Sequence, residues 1–340
     1  MAAEVPPGWR HNPSAWRDRL PLVALAVAGM GVASYLAAYQ LGILPGVWDP
    51  FFGADSVRVL HSALARYLPI PDAALGAGGY ATEALVGLLG GRARWRTQPW
   101  LVVLYGLIVV ALGATSVGLV ITQGVVFHAW CTLCLLSATI SIVILGPALR
   151  EVLAALQYLN RVAVAGAPAW SAFWGRPAAG TAARVAGPRA PRTARGARGW
   201  PSLVALALGI WLMAAPAVLG YGGGLAAAND RVVGPLVAAC GWVSLWGVGR
   251  PLRWAYGALG IWLLIAPSLL SYGPVPTVNS IVVGVLLAVL AWGGAPARDR
   301  LGGGWGALLD DGLGAGAPDG ATPDPRAERA PGRPQERRPS

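Results

Sequence analysis

The chain alternates long apolar runs with shorter polar segments. A helix that crosses the hydrocarbon core of a bilayer needs about 20 predominantly apolar residues, and several runs reach that length. The pattern therefore predicts an all-α, multi-pass transmembrane helical protein with about eight spans. We place the spans at residues 20–44, 73–89, 99–122, 130–149, 201–220, 232–248, 254–270 and 278–292.

The last four spans contain an internal repeat. The segment Gly209–Pro216 (GIWLMAAP) returns as Gly260–Pro267 (GIWLLIAP), and Asn229 has its counterpart in Asn279. Each unit has a helix that carries a proline, a turn with tyrosine, and a second helix. A repeated unit of this kind predicts two copies of one transmembrane hairpin.

Composition supports a membrane protein. Hydrophobic residues make up 55% of the chain, charged residues only 12%, and the mean hydropathy is +0.55. Because soluble domains carry about 25% charged residues, these values exclude an ordinary soluble enzyme and a disordered chain.

The net charge of +11 indicates how the chain is oriented in the membrane and does not indicate a nucleic-acid ligand. All 26 basic residues are arginine, and they lie in the tails and between the apolar runs, so we reject nucleic-acid binding. Positive segments stay on the cytosolic side, which places both termini in the cytosol. An arginine-only composition rich in Gly, Ala and Pro is typical of GC-rich bacteria, so we expect a bacterial cytoplasmic membrane.

The same features divide the chain. An Arg/Pro/Gly-rich segment without apolar periodicity separates the two groups of spans and reads as a linker. The last segment is rich in Pro, Gly and charge and is predicted to be disordered. The predicted units are a cytosolic N-terminal segment (1–19), a four-helix domain (20–162), the linker (163–199), a second four-helix domain (200–294) and the tail (295–340).

Two of the three cysteines form a Cys-x-x-Cys at the start of the fourth predicted helix, Cys131 and Cys134. Cysteines three apart on a helix share one face and can bridge. A helix N-terminus favours a thiolate, and the topology puts the pair on the extracytoplasmic side, where disulfides persist. The pattern predicts a redox-active pair.

Other interpretations of the pair remain open. A zinc site usually needs four ligands, and His61 and His128 would have to complete it. Two inert cysteines in a membrane helix are a further alternative, and we expect inert packing for Cys240. Haem attachment is excluded because Leu135, not histidine, follows the pair.

Further residues resemble the vitamin K epoxide reductase family. The ordered features are Trp-Cys-x-x-Cys at the outer start of the fourth helix, the segment Val59–Ser62 (VLHS), and the segment Ile70–Tyr80, which begins Ile-Pro and reaches Gly and Tyr. The resemblance covers roughly residues 20 to 160. It implies a four-helix bundle and a membrane thiol–quinone oxidoreductase.

The resemblance also implies roles. Cys134 would face a quinone (menaquinone or ubiquinone) as substrate, and Cys131 would exchange disulfides with an incoming thiol, for which its sulfur must be accessible. No metal is implied, and the expected surroundings are membrane lipid and quinone. The catalytic candidates are Cys131 and Cys134, and the quinone-site candidates are Ser62, Tyr80, His128 and Trp130.

The chain departs from the family in its first outer loop. Family members usually carry two cysteines there that relay electrons to the membrane pair, but the segment Trp48–Ser56 has none. Asp49 and Ser56 stand near their positions, and we expect Asp49 to cap the following turn. Two hypotheses follow: an extracytoplasmic thioredoxin-like partner reaches the pair directly, or the chain is a non-catalytic membrane scaffold on a degenerate reductase fold. Ala138 stands where some relatives place a quinone-contacting tyrosine.

The repeated hairpins resemble the bacterial SPW-repeat family, although the tripeptides here are Ala215–Ala217 (APA) and Ala266–Ser268 (APS). That resemblance implies a membrane location. A transporter or channel role for these hairpins is a weaker hypothesis, because we find no paired ionisable residues in their predicted spans.

Glu83 is an ionisable residue inside the second predicted span. Such residues are candidates for functional sites by default. We favour the simpler interpretation that Glu83 lies near the cytosolic end and pairs with Arg92 or Arg94.

Overall fold

The computed structural model of the chain describes residues 5–62, 69–177, 179–180, 199–293 and 301–308. In these ranges the chain is helical, and its only β-type pairing is an isolated bridge between Trp9 and Leu301. The predicted all-α, multi-pass fold is confirmed.

A helix lies at each of the eight predicted spans, and within the described ranges three short helices lie between them. The helices are α1 (Trp16–Gln40), α2 (Ala54–Leu60), α3 (Asp72–Leu88), α4 (Arg94–Thr97), α5 (Pro99–Thr122), α6 (Thr132–Val164), α7 (Ala169–Phe173), α8 (Trp200–Val218), α9 (Gly224–Ser244), α10 (Arg253–Leu269) and α11 (Pro274–Trp292). A π-helical turn, Gln123–Phe127, extends α5, and a 3-10 turn, Gly247–Leu252, precedes α10.

Six of the helices in the described ranges are long and apolar enough to cross a membrane: Trp16–Gln40, Pro99–Phe127, Thr132–Val164, Trp200–Val218, Gly247–Leu269 and Pro274–Trp292. Of the other two predicted spans, α3 has 17 residues, and α9 carries Asp230 and Arg231. Crossing by α3 and α9 stays a prediction.

Helices α1, α3, α5 and α6 pack into a four-helix bundle, with α1 against α3 and α5 against α6. The core contains Tyr80, Tyr105 and Ile144, all at most 2% exposed. Apolar side chains also cover the outside of the bundle, where Val27 is 48% and Leu107 is 64% exposed. An apolar exterior is typical of a helix bundle in lipid, where apolar groups need not be buried.

The two repeated hairpins, α8–α9 and α10–α11, pack against each other. Their tryptophans bond across the repeat: Trp211 Nε1 donates to Asn279 Oδ1 (2.9 Å) and Trp262 Nε1 donates to Asn229 Oδ1 (2.8 Å). Each indole thus finds its acceptor on the other hairpin. Helix α9 also packs against α5, α6 and the π-helical turn, which joins the repeat unit to the bundle.

The end of the bundle farthest along α6 from the cysteine pair holds a buried ion pair. Arg94 donates to both carboxylate oxygens of Glu151, Nε to Oε1 at 2.6 Å and Nη2 to Oε2 at 2.5 Å, and Ser14 Oγ donates to Oε1 as well (2.5 Å). Arg19 donates to the backbone carbonyls of Gly87, Gly90 and Leu89 beside this pair. We call the group Ser14, Arg19, Arg94 and Glu151 the arginine end.

Residues 301–308 fall inside the predicted disordered tail but are packed in the structure. Gln157 Nε2 donates to the carbonyls of Leu301 (2.7 Å) and Gly304 (2.9 Å), and Trp9 Nε1 donates to Gln157 Oε1 (2.9 Å). Leu301 is 5% exposed. The disorder prediction is therefore wrong for this short segment, because its few apolar side chains find a hydrophobic partner surface that composition alone does not reveal. The rest of the tail, and most of the predicted linker, lie outside the described residues.

Candidate functional site

Cys131 and Cys134 are joined by a disulfide at the N-terminus of α6, with their Cα atoms 5.2 Å apart. Cys131 is the N-cap residue, and its Sγ accepts a hydrogen bond from the Cys134 backbone N–H (3.2 Å). The pair lies where the spacing predicts it, at a helix start with both side chains on one face.

Exposure of the two sulfurs differs from the prediction. Cys131 is 0% exposed, whereas Cys134 is partly exposed. The expectation that Cys131 is the accessible sulfur is wrong for this conformation, because Val59 of α2 and Phe127 pack over the pair. Access to Cys131 requires α2 and the loop that precedes it to move.

The segment between α5 and α6 has an unusual backbone that places Cys131. The π-helical turn ends at His128, which takes a left-handed conformation with φ of 48°. The Gln123 carbonyl accepts the Ala129 N–H (3.2 Å), and the Gln123 side-chain Oε1 accepts the Cys131 N–H (3.0 Å). Gln123 therefore fixes both ends of the short link that leads to the disulfide.

Asp49, in the loop between α1 and α2, reaches the first residue of α6. Its carboxylate accepts the Thr132 backbone N–H at Oδ2 (2.8 Å) and the Thr132 hydroxyl at Oδ1 (2.5 Å). The first N–H groups of a helix have no partner within the helix, and a carboxylate there also interacts favourably with the helix dipole. Asp49 is thus a cap supplied by a distant loop, directly beside Cys131.

The same carboxylate organises the loop itself. It accepts the N–H groups of Phe51 (3.0 Å) and Phe52 (2.9 Å), which confirms that Asp49 caps the following turn, and it accepts the hydroxyl of the buried Ser56. Desolvation opposes ionisation, but the hydrogen bonds from Ser56, Thr132 and the two N–H groups outweigh it and hold the pKa of Asp49 well below its usual range. We call Asp49 with Ser56 and Thr132 the Asp49 latch.

Tyr80, a predicted quinone-site residue, lies inside the bundle below the disulfide. Its hydroxyl donates to the Ser137 carbonyl (2.5 Å) and lies 2.7 Å from Ser141 Oγ. Ser137 and Ser141 follow Cys134 by three and seven residues, so they share its helix face. The structure thus puts a tyrosine hydroxyl on the Cys134 face of α6, although position 138 is alanine.

The other three predicted residues, Ser62, His128 and Trp130, lie at different distances along the chain from the disulfide and contact different neighbours. The Trp130 ring packs against Gly124, and His128 is exposed beside Arg231. Ser62 lies just after α2, with its N–H donated to the Val59 carbonyl (3.2 Å). His128 and Trp130 thus flank the pair. Tyr80 contacts α6 one to two turns after Cys134. Ser62 is linked to the site through Val59 of α2, which packs against Cys131.

Glu83 does not pair with Arg92 or Arg94. Arg94 is taken by Glu151, while Glu83 is 2% exposed and its Oε2 has no hydrogen-bond partner among the described residues. The local pattern placed the acid and base near each other but could not show that Glu151, 57 residues after Arg94, takes the base.

Sequence reasoning missed three contributors: Gln123, Thr132 and Arg231. Arg231 reaches from α9 to the link, with Nη1 donating to the Gly124 carbonyl (3.2 Å) and lying 3.4 Å from His128 Nδ1. The signal was present, because Asp230 and Arg231 stand between apolar runs, but an apolar window begins the helix near residue 232 and leaves them out. The structure begins α9 at Gly224.

Metal ligands do not gather at the site. Across the part of the chain that the structure describes, no group of three or more His, Cys, Asp or Glu side chains could hold a metal ion. His61, a candidate zinc ligand, stacks edge-to-face on Tyr39 with ring centroids 5.3 Å apart.

Comparison with known families agrees with this geometry. Residues 20–149 match the vitamin K epoxide reductase family, and residues 199–293 match the SPW repeat domain. The predicted order of the two regions is confirmed. No curated protein and no solved structure matches the chain.

Proposed function

We propose that this chain, whose residues 20–149 are a vitamin K epoxide reductase family region joined to an SPW repeat domain, is a membrane thiol–quinone oxidoreductase. The observation that carries the proposal is the Cys131–Cys134 disulfide at the N-terminus of α6 within that region. Family membership of this region supports a thiol-dependent oxidoreductase in a membrane; the quinone, the partner and the residue roles are our proposal.

The proposed exchange carries two electrons from a partner dithiol through the Cys131–Cys134 pair to a quinone. A thiolate of an extracytoplasmic thioredoxin-like partner attacks Cys131 Sγ, a mixed disulfide forms, and the electron pair of the broken S–S bond passes to Cys134 as a thiolate. The second partner thiol resolves the mixed disulfide, which leaves an oxidised partner and a Cys131/Cys134 dithiol. Two electrons and two protons then pass from the dithiol to a quinone, which becomes quinol as the disulfide forms again.

The residues on the Cys134 face of α6 fit a quinone. Tyr80 of α3, with Ser137 and Ser141 of α6, places hydroxyl groups beside the apolar core of the bundle, and hydroxyl donors suit a carbonyl oxygen in a water-poor site. The thiol side fits an external partner, because Asp49 and Ser56 make a hydrogen bond where the family has relay cysteines. The loop therefore has no cysteine with which to pass electrons to Cys131.

The decisive test uses the full chain in lipid nanodiscs. The protein is reduced with dithiothreitol, freed of reductant, and mixed with menaquinone while thiols and quinol are counted. We expect one disulfide and one quinol per protein, no reaction in Cys134→Ser, and full reaction in the matched control Cys240→Ser, whose thiol lies in the repeat unit. Unchanged thiols in the wild-type protein would reject the proposal.

A second experiment addresses the partner and the side of the membrane. In Cys134→Ser, a thioredoxin-like protein is expected to remain as a mixed disulfide on Cys131, and Asp49→Asn in the same chain should raise the yield by opening the latch. A membrane-impermeant maleimide added to intact bacterial cells should label reduced Cys134, which tests the extracytoplasmic position and the cytosolic termini that go with it.

The buried Cys131 and the closed latch favour one further candidate, a non-catalytic scaffold that keeps the family fold. A scaffold predicts that Cys134→Ser supports growth as well as the wild-type chain in cells that depend on this protein. An oxidoreductase predicts that this variant fails while Cys240→Ser succeeds.

A further inference from the structure

The redox link between α5 and α6 is held at two helix ends by charges from distant parts of the chain. Asp49, an anion, caps the N-terminus of α6. Arg231, a cation from the repeat unit, donates to the Gly124 carbonyl in the last turn that extends α5. Helix N-termini favour anions and helix C-termini favour cations, so each charge has the sign that its helix end prefers.

The geometry around Gly124 shows a close fit. A Cβ at this position would lie 2.9 Å from the Trp130 ring and 3.1 Å from Arg231 Cδ. Gly124 is therefore enclosed between the tryptophan that precedes Cys131 and the arginine of α9. Only glycine leaves room for both neighbours.

Arg231 also lacks a competing acid. The adjacent Asp230 is turned into the repeat unit, where its Oδ2 accepts the Tyr221 hydroxyl (2.6 Å) and lies 3.4 Å from Asn279 Nδ2. Among the described residues no carboxylate lies within ion-pair distance of Arg231. The guanidinium is thus directed at the carbonyl of Gly124 and the ring of His128.

We propose that Arg231 is a positioning residue for the Cys131–Cys134 pair and that the repeat unit acts as a structural part of the redox centre. The connection runs from Arg231 to the Gly124 carbonyl, and from the neighbouring Gln123 to the Cys131 N–H. The inference rests on the proposed redox role of the pair but not on its substrate. It assigns the repeat unit the task of keeping the link rigid, so that the two sulfurs stay close enough to bridge.

The test compares Arg231→Gln, which removes the charge, with Arg231→Lys, which keeps it. Arg253→Gln is the matched control, because it removes an arginine from the same unit. Arg253 is the first residue of α10, and its guanidinium lies over the Trp254 ring. The full chain in nanodiscs is equilibrated with glutathione buffers, and the fraction of Cys131–Cys134 disulfide is measured. Hydrogen exchange of residues 123–131 is measured on the same samples.

In Arg231→Gln we expect the equilibrium to shift toward the dithiol by about fivefold, since a cation at a helix C-terminus has a modest but measurable effect. Exchange at residues 123–131 should rise about as much, while Arg231→Lys and Arg253→Gln stay within about twofold of wild type. Values for Arg231→Gln that equal those of Arg253→Gln would overturn the proposal.

A second variant guards against simple loss of folding. Gly124→Ala keeps both charges but pushes Trp130 and Arg231 apart, and it should shift the equilibrium in the same direction. Neither measurement uses a quinone. If the chain does not reduce quinone but Arg231→Gln still shifts the disulfide equilibrium, the proposed function is rejected and this inference stands. If the chain reduces quinone but Arg231→Gln leaves the equilibrium unchanged, the proposed function stands and this inference is rejected.

Discussion

Two carboxylates are bound toward opposite ends of the four-helix bundle, Glu151 of α6 and Asp49 of the loop before α2, and they are held in different ways. Glu151 at the arginine end is bound by both nitrogens of a fully buried guanidinium, so it has a cationic partner inside the protein. Asp49 at the disulfide end accepts hydrogen bonds from neutral donors, and its loop is largely exposed to solvent. A carboxylate of the second kind can exchange its donors for water, whereas the first kind cannot. The ion pair of Glu151 therefore keeps its part of the bundle tightly packed, whereas the Asp49 loop can move away from the disulfide.

The largest effect on stability is expected when a charge is removed at the arginine end. Arg94→Ala leaves Glu151 buried without a cation, and loss of one partner of a buried ion pair costs about 3–5 kcal/mol. We expect that loss in the free energy of unfolding, measured by SDS titration in mixed micelles. Arg92→Ala, at an exposed position in the same loop, should change it by at most about 0.5 kcal/mol. Equal losses would show that the arginine end is not the fixed end.

The second largest effect is expected at the Asp49 latch. Asp49→Asn keeps the shape of the side chain but loses the charge at the helix N-terminus and two charge-assisted acceptors. We expect Cys131 in the reduced protein to react with iodoacetamide about tenfold faster, because loss of about 1.4 kcal/mol corresponds to a factor of ten in opening.

The matched control for the latch is Asp55→Asn, which removes a nearby carboxylate in the first turn of α2 that pairs with Arg58 at the surface. Its Cys131 should react at the wild-type rate. If both variants react equally fast, the loop opens through general loss of charge and not through the latch.

A smaller effect should follow at Ser56, whose hydroxyl gives one of the hydrogen bonds to Asp49. Ser56→Ala removes one donor from a partly exposed carboxylate that keeps its other donors, so we expect a loss of about 1 kcal/mol and a reaction of Cys131 that is about fivefold faster. Ser56→Thr keeps the hydroxyl and should restore most of the protection. Protection that is lost equally in both variants would indicate a packing defect at this buried position instead.

The smallest effect is expected from pH. A carboxyl whose folded pKa is depressed contributes stability that is complete above its unfolded pKa of about 3.9 and is lost as pH falls through the folded value. Since the pKa of Asp49 is lowered, protection of the Thr132 amide, corrected for intrinsic exchange, should be flat between about pH 8 and pH 5. A transition within that range would assign the latch to another titrating group.

The sequence was sufficient to locate the eight long helices and the cysteine pair, but not the three short helices or the contacts that hold the disulfide in place. Apolar runs locate spans because the bilayer sets their length, and a three-residue cysteine spacing determines a shared helix face. The distant contacts lie far apart in the chain: Thr132 is 83 residues from Asp49, Glu151 is 57 residues from Arg94, and Arg231 is 107 residues from Gly124. No local pattern encodes such pairs, which is why Glu83 was assigned a base that Glu151 holds.

The crossed bonds of the repeat unit bear on how it arose. Trp211 and Trp262 each find their acceptor on the opposite hairpin. A lone hairpin would leave an indole N–H and an asparagine amide without these partners, a loss of about 0.5–1.5 kcal/mol for each bond. A second, identical hairpin related by a two-fold axis would satisfy both. Exchanged contacts of this kind are what duplication of a hairpin that paired as a symmetric homodimer would produce, and only one half carries the Asp230–Arg231 charges, where the other half has Ser280 and Ile281.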